Sequence, residues 1–452
     1  MISFPADISS ALVALRHGRL STADLRQACL DRIERHNPLI NAFITVTPDA
    51  PPASQQNINS PLYGIPIALK DLYETAGTLT TAGTPFFKDT IPQKDAQVVE
   101  KLKAAGAFLV GKTNTHEIAL GVTGVNPHYG AVRNPWDATR ISGGSSSGSA
   151  AAVASGMCLA ALGTDTGGSI RIPASLCGVV GLKPTFGRIS LRGIHPLSWN
   201  LDHAGPLTRS VQDAALLLQV LAGYDPLDPA SADVPVDDYL AGIAAGVRGF
   251  RVALAAGDYV AESDPEVLAA YHQAAGVFEA LGAQVEKVDV EFMRQAALAN
   301  SQMTQADAAA VHRERISQQP AMFGEDVRQR LQTGAALSAT EYILARRIQS
   351  ETRRRLEQLF NAYDILLTPA TPIAAPLIAG TDAIEQSRRL TRFTSTFNLA
   401  GLPALALPCG FTRSGLPIGL QIIAKAWSET RVLQAGHAFE QATPWHEKSA
   451  GI

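Results

Sequence analysis

Ser145 and Ser169 stand 24 residues apart, and Lys70 precedes both. Each serine lies in a glycine-rich run. One is Gly143-Gly144-Ser145-Ser146-Ser147-Gly148-Ser149; the other is Gly163-Thr164-Asp165-Thr166-Gly167-Gly168-Ser169-Ile170-Arg171-Ile172-Pro173. Lys70 ends the apolar stretch Gly64-Ile65-Pro66-Ile67-Ala68-Leu69. A serine hydroxyl is a poor nucleophile until a neighbour accepts its proton. Lysine can accept one only as the neutral amine, although its ordinary pKa is about 10.4. Burial beside Ile65, Ile67 and Leu69 would disfavour the ammonium and bring that value down. Small residues let backbone N–H groups crowd around a reacting oxygen. The combination suggests a serine hydrolase whose base is lysine rather than histidine.

Elements that could hold these groups follow from the periodicity. Helical patterns run from Ile8 to Arg16 and Thr22 to His36, with Ser21 and Asp24 resembling a capping box. Gly64 to Leu69 reads as a strand, Asp95 as the cap of a helix through Ala105, and Phe108 to Val110 as the next strand. The small-residue segment Ser149 to Ser155 reads as a helix before the apolar run Cys158 to Leu162. Further helices are expected at Val211–Leu221, Pro265–Leu281 and Thr430–Gln441. Strands are expected at Arg251–Ala255, Gln284–Val290, Ile365–Leu367, Ala404–Leu407 and Pro417–Ile423. Residues 292–363 read as mostly helical. Strands interleaved with helices imply an α/β protein with a central, largely covered sheet. With no internal repeat or long linker, residues 1–452 are expected to form one domain. Residues 61–210 would be its catalytic core and 223–385 a mostly helical elaboration.

Three other patterns compete for attention. Gly106 to Thr113 satisfies the phosphate-loop expression G-x-x-x-x-G-K-T, but a phosphate cradle needs a flexible loop there, and the middle residues read as the strand itself. Gly144-Ser145-Ser146-Ser147-Gly148 fits the nucleophile-elbow expression, yet the preceding Arg133 to Arg140 is loop-like rather than an apolar strand. Asp202 and His203 could in principle complete a Ser-Asp-His set, though adjacent residues are an unusual source for both partners. His116, His128, His195 and His203 have no metal-ligand spacing. No metal and no cofactor are expected.

The 452 residues are 46% hydrophobic and 17% charged, the balance of a soluble globular protein. The net charge of −3, without a long basic run, gives no reason to expect nucleic acid or an anionic membrane as partner. Four scattered cysteines, Cys29, Cys158, Cys177 and Cys409, read as buried thiols of a reducing compartment. The N-terminus shows no signal-peptide pattern, and residues 141–163 are too rich in Ser, Gly and Ala for a membrane span. A cytoplasmic protein is expected.

At the residues quoted, the chain resembles the amidase signature family. Gly64 to Asp71, Gly143-Gly144-Ser145-Ser146 and Gly163 to Pro173 occur in the family's order. The likeness extends to Gly111-Lys112-Thr113-Asn114, Asn126 to Gly130, Gly181-Leu182-Lys183-Pro184, Asp202 to Pro206 and Gly401 to Ala404. It implies a central mixed, twisted β-sheet covered on both sides by helices. It also implies that Ser169 is the nucleophile that forms an acyl-enzyme. Ser145, after a cis peptide at Gly144, would bridge Ser169 to Lys70, the base. The backbone N–H groups of Thr166, Gly167, Gly168 and Ser169 are the candidate oxyanion hole, where one donor can contribute about 3–4 kcal/mol. Asp165 and Arg171 would brace that loop. Ser147 departs from the family's commoner Ser-Ser-Gly-Gly form and leaves the three reacting residues intact.

Two functions then stand open. One is an amidase cleaving a linear amide, or a carbamate, urea-like or ester carbonyl, with a small molecule as its partner and a homodimer among the assemblies it allows. The other is the amidase-like glutaminase component of a glutamine-dependent tRNA amidotransferase, which would need partner subunits. The glutamine carboxylate would call for a cation, and Arg388, Arg389 and Arg392 are candidates. Gly121, Thr123, Gly124 and Ser146 are candidate substrate-binding residues. Ser198–Leu201 and the pair Phe393 and Phe397 are candidate pocket lining, with core packing equally open for the two phenylalanines.

Overall fold

Eleven strands join into one mixed sheet in the computed structural model, which describes residues 4–47 and 57–451. In chain order they are β1 (Phe43–Val46), β2 (Pro66–Lys70), β3 (Phe108–Thr113), β4 (Ala160–Thr164), β5 (Val180–Lys183), β6 (Ala204–Thr208), β7 (Arg251–Ala256), β8 (Gln284–Asp289), β9 (Ile365–Pro369), β10 (Ala404–Phe411) and β11 (Pro417–Ile423). Across the sheet they run β1-β3-β2-β4-β6-β5-β10-β11-β9-β7-β8. β2 is parallel to both β3 and β4, and β7 to both β8 and β9; the pairs between these two groups are antiparallel.

Most central strands are buried at every position because helices cover both faces. The alternation of a pleated strand separates the two cores. Ile67, Leu69 and Leu162 join one cluster with the helix Val211–Leu221; Ala68 and Ala161 join the other with the helix α1 (Ser147–Ala154). Small side chains on both sides of that second contact let α1 lie close against the sheet. This closeness brings the serine motif preceding α1 to the ends of β2 and β4. The site also uses α2 (Arg171–Cys177), α3 (Met293–Val311), α4 (Glu325–Ala336), α5 (Ala383–Leu390) and α6 (Ser395–Ala400).

The helices at Ile8–Arg16 and Val211–Leu221 have the bounds read from periodicity. Three strands were not anticipated: β1, β5 and β6. The last two contain Gly181, Lys183, Gly205 and Pro206, which read as loop. A Cβ on Gly205 would lie 2.1 Å from the Leu182 carbonyl oxygen, so close strand approach, not turning, explains that glycine. The helix after Asp95 is capped by Ala96 instead. Asp95 accepts from the Ala76 N–H and pairs with Lys103 at 2.6 Å. Residues 223–385 contribute β7, β8 and β9 to the sheet besides their helices. No helix among the described residues is long and apolar enough to cross a membrane.

Candidate active site

Parallel pairing of β2 and β4 brings Lys70 and Thr164, their last residues, to one edge of the sheet. The turn into α1 sets Ser145 against both. The Lys70 Nζ donates to Ser145 Oγ and to Thr164 Oγ1, each at 2.7 Å, and the lysine is wholly buried. Burial lowers its pKa to about 7, against the opposing pull of Asp202 and Asp165. The Gly144–Ser145 peptide is cis. The Ser145 carbonyl accepts from Thr115 Oγ1 at 2.8 Å and from the His116 N–H at 3.2 Å.

The Ser146 N–H donates to the Ser169 carbonyl at 3.1 Å, which seats the second serine motif beside the first. Ser169 is 4% exposed and faces a cavity of about 690 Å³. Among the described residues its hydroxyl makes no hydrogen bond, so the Lys70–Ser145 link is formed and the Ser145–Ser169 link is not. Bonds of this kind commonly tighten only in the Michaelis complex.

The loop before Ser169 is built around Asp165. Its Oδ1 accepts from the Gly168 N–H at 2.8 Å, Arg171 Nη2 at 2.9 Å and Asn398 Nδ2 at 2.7 Å; its Oδ2 accepts from Arg171 Nε at 3.0 Å and the Ile170 N–H at 3.1 Å. Burial alone would raise this carboxyl, but the Arg171 guanidinium overrides it and holds the pKa well below the usual range. Arg171 donates further to Gln421 Oε1, Asn398 Oδ1 and the Thr394 carbonyl. Thr394 Oγ1 donates to the Gly167 carbonyl at 2.6 Å, and Asn300 Nδ2 to that of Thr166 at 3.2 Å. With carbonyls pinned outward, the N–H groups of Thr166, Gly167 and Ser169 have no acceptor among the described residues. The Gly168 N–H, expected with them, is instead committed to Asp165.

Asp202 joins the loop to the cavity wall. It accepts from Thr166 Oγ1 at 2.6 Å and from the N–H groups of Leu197 and Ser198 at 2.8 and 3.0 Å. Burial lifts its pKa to about 6.

Of the candidate substrate contacts, Gly121 lines the cavity; Thr123, Gly124 and Ser146 do not. Thr123 Oγ1 turns to His116, 3.4 Å away, and accepts from the Val125 N–H. Gly124 packs on Ser147 and the Gly143 carbonyl, while Ser146 Oγ is held between the N–H and carbonyl of Thr164. Phe393 and Phe397 belong to the core, and Leu197 lines the cavity where Ser198–Leu201 were expected. Arg388, Arg389 and Arg392 do line it, together with Arg294 and Arg330. Lys112 of the phosphate-loop expression is buried against Asp71, the Tyr73 carbonyl and Thr80, where no phosphate could reach it. His116 and His128 pair with Asp326 and Glu117, and His203 Nδ1 meets the Leu201 carbonyl.

Thr164, Asn300, Asn398, Gln421 and Arg330 were not singled out from the sequence. Thr164 stood inside the quoted motif, one residue before Asp165, and its place at a strand end was the available signal. The others come from segments more than 100 residues away in the chain.

The family model "Amidase" matches residues 24–433. An amidase-like component of the glutamyl-tRNA(Gln) amidotransferase of Geobacter sp. (strain M21) is 38% identical over 473 residues, covering 97% of each chain. Among solved structures, an inhibitor-bound s-triazine catabolic enzyme from a vestigial protein complex superposes with a TM-score of 0.91 at 34% identity, covering 96% of this chain and 98% of that one. A peptide amidase from Stenotrophomonas maltophilia superposes with a TM-score of 0.84 at 31% identity, covering 98% of each chain.

Proposed function

Because the chain belongs to the amidase family, we propose that it hydrolyses the carbon–nitrogen bond of an amide through an acyl-enzyme on Ser169. The Ser169 Oγ attacks the carbonyl carbon while its proton passes to Ser145 Oγ, and the Ser145 proton passes to neutral Lys70 Nζ. The carbonyl electron pair moves to oxygen, which faces the free N–H groups of Thr166, Gly167 and Ser169. Collapse breaks the carbon–nitrogen bond, and the departing nitrogen takes the proton back along the same path. Water then enters by the same relay and releases the carboxylate.

The observation that carries this reading is the 2.7 Å hydrogen bond from a wholly buried lysine to Ser145. Replacing Ser169 by Ala should abolish turnover and the covalent adduct that intact-mass spectrometry detects with a slowly hydrolysed substrate. Undiminished activity in that variant would refute the nucleophile assignment.

Within this chemistry, the glutaminase component of a tRNA amidotransferase draws more support than a free-standing amidase for linear amides. The support is the likeness to the Geobacter amidotransferase component over nearly the whole chain, and cavity arginines able to meet a glutamine carboxylate. Ammonia release from glutamine should then be slow for the purified chain and rise on addition of its partner subunits. Efficient hydrolysis of neutral amides by the chain alone, with glutamine inert, would favour the free-standing enzyme.

A further inference from the structure

We infer that Arg330 and Arg388 form a carboxylate-receiving subsite in the cavity, so that the substrate is an amide carrying a carboxylate beyond its scissile bond. This deepens the reading above and rests on Ser169 as the nucleophile.

Five arginines line the cavity against two glutamates, Glu262 and Glu385. They are not equivalent. Glu262 is shared by Arg392 and by Arg294, the latter at 3.0 Å, and Arg294 also holds Glu291. Arg389 leans toward Asp264 at 3.7 Å. Those three cations already have counter-charges. Arg330 and Arg388 have no ion-pair partner among the described residues, and Glu385, an exposed residue one turn before Arg388, pairs with neither.

Arg330 is built in. It projects from α4 and donates through Nη2 to Ser387 Oγ at 2.6 Å and to the Ala383 carbonyl at 3.0 Å, which fixes it against α5, the helix that carries Arg388. Its Nε is buried with no acceptor. An orphaned guanidinium donor in a cavity wall lacks a partner that an anion would supply. Burial lowers the pKa of Arg330, and although Asp326 opposes the shift, Arg388 adds to it, as a second positive charge nearby must. Two like charges lining one cavity are relieved by an anion, and the planar guanidinium suits a carboxylate better than any neutral group. Arg388 and Arg330, rather than the already paired Arg389 and Arg392, are therefore the receiving pair. A volume of about 690 Å³ accommodates a small acid amide with both ends in contact.

The test compares acid amides with a neutral one on the full-length protein. Succinamate and glutaramate should exceed butyramide in kcat/KM by at least about tenfold. R388Q and R330Q should each cut that ratio by about 10- to 100-fold, the effect expected of one charge-assisted hydrogen bond. R330Q also removes the Ser387 contact, so R388Q, on an exposed residue, decides if R330Q fails to fold. A wild-type ratio near one, or a ratio untouched by R388Q, would overturn the proposal. Binding supplies an arm independent of turnover. In the Ser169→Ala protein, calorimetry should find glutaramate bound more tightly than butyramide, and R388Q should remove the difference. Equal binding of the two would also overturn it. Residual turnover in Ser169→Ala would sink the nucleophile assignment instead, which keeps the two failures apart.

Discussion

Lys70 can take a proton only after losing its own, and burial sets the pH at which that happens. With its pKa lowered to about 7, kcat/KM should rise as pH increases through 7 and fall away below it, where the ammonium predominates. A pH–rate profile checks this. An ascending limb near 10 would mean that the lysine keeps its ordinary affinity for protons. Asp202 pulls the other way, since its negative charge favours the ammonium. Asp202→Asn should therefore move the limb to lower pH while loosening Thr166. A limb that stays in place would remove Asp202 from the electrostatics of the base.

At the scale of elements, the loop between β4 and α2 depends on one buried ion pair. Replacing Arg171 by Met leaves Asp165 buried without its cation, which should cost about 3–5 kcal/mol in urea unfolding. Full stability in that variant would show that Asn398 and backbone N–H groups suffice. Gly168 is held at φ +135°, and a Cβ there would lie 2.2 Å from Thr394 Oγ1, so Gly168→Ala should displace Thr394 and lower kcat. These elements were unevenly legible beforehand. The Lys70 strand and the helix after Ser146 follow from apolar and small-residue patterns, and Asp165 and Arg171 were visible as flanking charges. Strands β5 and β6 were not, because Gly205 and Pro206 signal turns unless the neighbouring backbone is known. Nor could periodicity reveal that Asn300, Asn398 and Gln421 meet Asp165, Arg171 and Thr166, because only the packed sheet and helices bring them together. Arg330 stayed hidden for the same reason, its pattern being that of an ordinary helix face.

Across the whole molecule, charge is distributed against the average. The chain carries a net charge of −3, yet arginines outnumber acids on the walls of its cavity. Such a local field raises the encounter rate of anions and is screened by salt, with a Debye length of about 10 Å at 0.1 M. Raising ionic strength should therefore lower kcat/KM for glutaramate more steeply than for butyramide. Parallel salt dependences would show that the field does not reach the approaching substrate. The brace beneath the nucleophile has a consequence for biosynthesis. Gln421 binds Arg171 from 250 residues further along the chain, and Thr394 and Asn398 do so from more than 220. A nascent polypeptide thus emerges from the ribosome with its catalytic serine but without the parts that shape it. Hydrolytic power should arrive only when translation is nearly finished, which would keep unfinished chains from attacking cellular amides.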